Sequence, residues 1–153
     1  MTNAIDARLA DLGLSLPDAP APAANYVPYV VTGNQIYVSG QLPAGPDGLV
    51  SGKLGDDLDV DAGAEAAKYC ALNLLAQARK AADGDLSRVR LVKLVGFVNS
   101  TADFPDQPKV INGASDLMVA VLGDKGRHAR SAVSAASLPF GVAVEIEGIF
   151  ELL

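Results

Sequence analysis

The chain has 153 residues, enough for one domain with a sizeable core. Half of them are apolar, with four Phe, four Tyr and no Trp, a globular composition far from the disordered class. The 18 acids outnumber the 12 scattered basic residues for a net charge of −6, which argues against nucleic-acid binding, where clustered Lys and Arg neutralise phosphates.

The opening MTNAIDARLADLG is charged and amphipathic, so it does not read as a secretory leader. Within it, Ile5, Leu9 and Leu12 fall at helical spacing over residues 4–13, and Gly13 is a plausible stop. LPDAPAPAANYVP carries four prolines between 17 and 28. Proline fixes φ and removes a donor, so this segment is expected to run extended over the surface as an arm. Residues 1–25 are thus read as an N-terminal helix with its Pro/Ala-rich arm, and 26–153 as a single domain.

YVVTGNQIYVSG reads as strand, tight turn and strand. After the Gly- and Asp-rich loop PAGPDGLVSGKLGDDLDVD, Asp61 is a candidate cap for a helix to about residue 82, ended by Asp83-Gly84. The lone cysteine, Cys70, lies in that helix and reads as a buried structural thiol, one that suits a reducing compartment. VRLVKLVGFVNS is a long apolar run of the central-strand type. PDQPKVINGASDLMVAVLG has a helical stripe of Val110, Ile111, Ala114, Leu117, Met118 and Val121. The end of the chain, ARSAVSAASLPFGVAVEIEGIF, reads as a closing hairpin. The order ββ-α-β-α-ββ predicts an α+β fold with both helices on one face of a sheet. The face away from the helices needs cover, and strands with small and aliphatic residues on both faces, Val133, Ala135, Val144 and Ile146 among them, suggest an oligomer whose sheets pack together. No apolar run approaches the ~20 residues that span a bilayer. A cytoplasmic protein is the expectation.

Several motifs fail on inspection. Asp57, Asp59 and Asp61 occupy the first, third and fifth positions of a calcium loop, but Ala62 stands where Gly is required and Lys68 where Glu is. GLVSGKL has a phosphate-loop flavour, with glycines one residue too close and Leu54 in place of Ser or Thr. His128 is the only histidine, which leaves no histidine pair for a metal and no convincing triad.

Three charges in the closing stretch survive. Arg130 reads either as a solvated strand arginine paired with Glu147 or as a fixed fork for a substrate carboxylate. If the hairpin turn is Ser137 to Phe140, Arg130 faces Glu147 and Glu145 faces Ala132, so all three charges share one side of the sheet. A one-residue slip would scatter them.

The strings YVSGQLP (37–43), FVNSTADF (97–104), VINGASDLM (110–118) and ARSAV…SLPFGVAVEIEGIF (129–150) together resemble the Rid family, the YjgF-type imine deaminases, in the family's order and nearly at its spacing. The N-terminal helix and the ANYVPYV arm look like a longer-chain subgroup. The resemblance implies a chorismate-mutase-like α+β subunit in a homotrimer with clefts between neighbours. It also implies hydrolysis of reactive 2-imino acids or their enamine tautomers to 2-keto acids and ammonia, without metal or cofactor. By the same resemblance Arg130 holds the substrate carboxylate and Glu145 serves the hydrolytic water. Tyr29 matches an aromatic at the cleft mouth, Ser39 and Gly40 a segment beneath the substrate, and Asn112 a residue of the second helix. Ala132 stands where many members have a cysteine lining the pocket, which puts the preferred substrate in question. A trimer that only binds or senses a small 2-keto acid is the alternative expectation. No nucleic acid and no membrane are expected as partners.

Overall fold

The computed structural model describes residues 3–153. Helix α1, Ala4–Asp11, is capped by Asn3, whose side chain accepts from the Ile5 and Asp6 amides. Its apolar stripe buries Ile5 and Leu9 in the main core. The arm is tied down by Leu14 and Leu16, which pack on that core, and by Gln77 Nε2 donating to the Pro20 carbonyl at 2.8 Å.

Strands β1, Tyr29–Thr32, and β2, Gln35–Gln41, form the expected hairpin. The loop is Gly33-Asn34, and Gly33 at φ 60° supplies the left-handed residue that a two-residue loop needs. The long loop that follows contains a two-residue ribbon, β3 (Ala44–Gly45) with β4 (Gly48–Leu49). Helix α2, Val60–Ala81, is capped two residues earlier than expected, because the Asp59 side chain captures the Ala62 amide at 2.8 Å. It ends at Asp83-Gly84, both with positive φ. Strand β5, Val89–Asn99, precedes helix α3, Gln107–Leu122, whose whole anticipated stripe is buried. Strands β6, Ala129–Ala135, and β7, Val144–Leu152, complete the chain.

The sheet order is β1-β2-β7-β5-β6. The closing hairpin expected from sequence does not form: β6 runs parallel to β5, and β7 runs antiparallel between β2 and β5. The cause is β5, an eleven-residue apolar strand that needs a hydrogen-bonding neighbour on each side and takes the slot between the last two strands. Residues 136–143 therefore bridge the gap left by an intervening strand, with Phe140 at φ 59° and Gly141 at φ 68° turning the chain. One face of the sheet packs on α2 and α3 through Ile36, Val38, Leu91, Leu94, Val144, Ile146 and Phe150, all buried. Val144 and Ile146 thus belong to the helix side, not to the open face. The open face carries exposed apolar residues, among them Val30 at 51%, Tyr37 at 43% and Val133 at 46%.

Candidate functional site

Arg130 is the second residue of β6, an edge strand. It lies level with Leu94, which is buried beneath the helices, so its side chain projects to the helix side. There its Nη1 donates to Asn112 Oδ1 at 2.8 Å and to Ser115 Oγ at 3.2 Å, and Nη2 donates to the Pro108 carbonyl at 3.4 Å. Residues 108, 112 and 115 lie on one face of α3, so a single helix holds the guanidinium. All three acceptors are neutral, and among the described residues Arg130 joins none of the ion pairs. The fork is half-buried, oriented and uncompensated, an arrangement suited to an anion. Two of the candidate residues, Arg130 and Asn112, are thus in direct contact. Ala132 follows on the same face, level with Gly96 and packed on the core.

Glu145 lies on the opposite face. It is level with Phe97 on β5, whereas its neighbours Val144 and Ile146 point to the helices. Pairing between β2 and β7 breaks between Val38 and Gln41, at Ser39-Gly40. A Cβ on Gly40 would lie only 2.7 Å from Glu145 Oε2, so it is the missing side chain that admits the carboxylate. The Ser39 hydroxyl donates to the Val27 carbonyl at 2.8 Å and fastens the arm to this segment. Burial, and then the negative charge of Glu147 on the same face, push the Glu145 carboxyl above the usual carboxylate range.

A cavity of about 550 Å³ opens on this face beside Ser39, lined by Tyr26, Tyr37, Lys93 and Glu147 among others. Tyr29 is not part of it. It lies level with Val38 and packs on the core, on the helix side. The aromatics at this cavity are Tyr26 and Tyr37, neither of them a candidate from the sequence. YVPY offers two tyrosines, and only the start of β1 after Pro28 decides which one faces the core.

Arg130 and Glu145 therefore do not share a face within one chain. They project to opposite sides and sit two strands apart, roughly 10 Å laterally at the usual strand spacing. The candidate residues form two half-sites: Arg130 with Asn112 and Ala132, and Glu145 with Ser39 and Gly40. Cys70 is buried, its Sγ 3.8 Å from the Val144 carbonyl, and burial pushes its thiol well up, as suits an inert structural residue. Among the described residues no three His, Cys, Asp or Glu side chains gather as a metal centre, and no helix is long and apolar enough to cross a membrane.

Comparison with known proteins agrees with this architecture. Residues 6–150 match the family model described as "YjgF/chorismate_mutase-like, putative endoribonuclease". Protein TCP17 of Trypanosoma cruzi is 52% identical over 151 residues, covering 97% of this chain and 94% of its own. The crystal structure of Atu1372 from Agrobacterium tumefaciens, a protein of unknown function, is 51% identical and superposes with a TM-score of 0.91 over 97% of this chain and 92% of its own. RidA from an Antarctic Psychrobacter is 30% identical with a TM-score of 0.61, over 88% of this chain and 94% of its own. With its sheet, its two covering helices and its motifs all accounted for along the length of the match, the chain belongs to the YjgF/chorismate mutase-like, or Rid, family.

Proposed function

We propose that the protein hydrolyses small 2-imino acids, or their enamine tautomers, to 2-keto acids and ammonia. The reaction takes place in clefts of a homotrimer where the Arg130 half-site of one copy meets the Glu145 half-site of its neighbour. The observation that carries this reading is the Arg130 guanidinium, held by three neutral acceptors with no carboxylate against it. A substrate carboxylate supplies the missing charge through a bidentate pair.

Assembly follows from the two half-sites. Residues on opposite faces of one sheet reach a common substrate only when a second chain contributes one of them. The apolar open face supports burial between copies. Arg130 then fixes the C=N carbon by its carboxylate, which replaces a bimolecular encounter by an oriented one. Glu145 accepts a proton from water as the water oxygen bonds to the imine carbon. Starting from the protonated imine, the neutral carbinolamine takes that proton on nitrogen; the C–N bond breaks as the hydroxyl passes its own proton to Glu145, and ammonia leaves the 2-keto acid. A carboxyl raised above its usual range by burial is a stronger base than an ordinary carboxylate, which suits it to taking the proton from water.

The test is release of 2-keto acid from an imino acid generated in situ by an amino-acid oxidase. Wild type accelerates it over buffer, and Arg130→Ala abolishes the acceleration. Thermal stabilisation by 2-oxobutyrate that depends on Arg130, without turnover of any imino acid, would leave a carboxylate-binding trimer instead. A nuclease reading, attached to some relatives, would require steeply salt-dependent RNA binding.

A further inference from the structure

His128 does not touch Arg130, yet the two are joined through Ser115. His128 lies between α3 and β6, and its Nδ1 sits 2.6 Å from the Gly126 carbonyl. A carbonyl only accepts, so Nδ1 carries the proton. In the neutral ring Nε2 is then an acceptor, and the Ser115 hydroxyl, 2.9 Å away, donates to it. With its hydrogen committed, Ser115 presents only lone pairs to Arg130, whose Nη1 donates to it at 3.2 Å. Gly126 is a firm anchor for this chain of bonds. It is buried, and any Cβ there would collide with the Met118 carbonyl.

The Ser115–His128 pair has the spacing of a nucleophile and its base, but Nδ1 is held by a carbonyl rather than a carboxylate, and an arginine occupies the serine oxygen. Ser115 serves as an acceptor. Of the other two acceptors of the fork, the Pro108 carbonyl is the more distant at 3.4 Å and Asn112 is exposed, whereas Ser115 is half-buried and held by His128. We propose that His128 is a positioning residue: by fixing the Ser115 hydroxyl as an acceptor, it sets the Arg130 guanidinium in the orientation that receives a carboxylate. The proposal rests on the reading of Arg130 as the carboxylate site.

Imidazole ¹⁵N spectra of the wild-type protein at pH 8 are expected to show the tautomer protonated at Nδ1. The tautomer protonated at Nε2 would overturn the proposal outright. With 2-oxobutyrate as the probe in calorimetry, His128→Phe and Ser115→Ala should each weaken binding about three- to tenfold, the worth of one neutral hydrogen bond. The double variant should be no weaker than either single one. His128→Gln, whose amide oxygen can accept from Ser115, should recover most of the loss, which a mere packing role would not allow. Unchanged affinity in both single variants, or losses that add, would refute the coupling. Absence of imine turnover by the wild type would count against the proposed reaction and leave these outcomes readable. If the wild type binds no keto acid, the Arg130 Nε–H resonance reads the same coupling: sharp in wild type and exchange-broadened in both variants, with equal line widths overturning the idea.

Discussion

Gly40→Ala isolates Glu145 without touching it. The new Cβ would lie 2.7 Å from Glu145 Oε2, 2.9 Å from its Cδ and 3.1 Å from its Cγ. Ordinary contact begins near 3.4 Å, so the carboxylate must retreat by about 0.7 Å or swing to another rotamer. The obstacle is the far end of a flexible side chain, and Gly40 has no left-handed φ, so the backbone accepts alanine. Loss of chain entropy in the unfolded state even favours the variant by about 0.4–1 kcal/mol, set against the cost of moving Glu145. Stability by urea unfolding should therefore stay within about 1 kcal/mol of wild type. Catalysis should not, because a proton-transfer group displaced by close to 1 Å loses about 10- to 100-fold in rate. The assay is keto-acid release from an imino acid generated in situ, run beside calorimetry with 2-oxobutyrate, and affinity should fall far less than rate. A variant that hydrolyses imino acids like wild type would refute the role given to Glu145 over Gly40. One destabilised by more than about 3 kcal/mol would refute the claim that Glu145 yields.

Glu145 also has a pH signature. Its folded carboxyl titrates above its unfolded counterpart, through burial and then Glu147. Between those two values the native state binds more protons than the unfolded chain, so this group's contribution to stability falls as pH rises across the window. Glu147→Gln removes the second cause, so the acid limb of the hydrolysis profile should move to lower pH; a limb that stays in place would contradict the coupling. A third prediction concerns the helix layer. A Cβ on Gly113 of α3 would penetrate the Ala64 carbonyl of α2, and Gly113→Ala should cost about 3 kcal/mol in urea unfolding. Helix propensity alone predicts a gain of about 1 kcal/mol, so a stabilised variant would show that the two helices can part cheaply.

The helices were legible in the sequence because each has a 3.6-residue stripe that the core simply absorbs. Val110, Ile111, Ala114, Leu117, Met118 and Val121 are all buried as their spacing requires. Arg130 and Asn112 were legible as candidates, and the structure joins them in one hydrogen bond. The Ser115–His128 contact was not, because it brings together residues 13 apart through the turn between α3 and β6, and no periodicity encodes such a turn. Strand order was also beyond reach. Alternation at period two is the same whether a strand pairs with its sequence neighbour or admits a third strand between.

That last ambiguity decides how many chains a site needs. In a closing hairpin Arg130 would stand opposite Glu147, and every odd acid of β7 would share its face. With β5 inserted, Leu94 lies level with both Arg130 and Gly148, a change of one residue in effective register. Because side chains alternate strictly along a strand, one residue of parity turns all of β7 over relative to β6. The half-sites are pulled apart by that single step, not by distance. No rotamer change or loop motion in an isolated chain reverses it, since every pair in a nine-residue strand would have to slip together and expose Val144, Ile146 and Phe150. If Arg130 and Glu145 act on one substrate, they do so across a boundary between copies. An isolated subunit then retains folded stability with neither half of the chemistry complete, so activity should be lost on dilution below the assembly constant before the fold is.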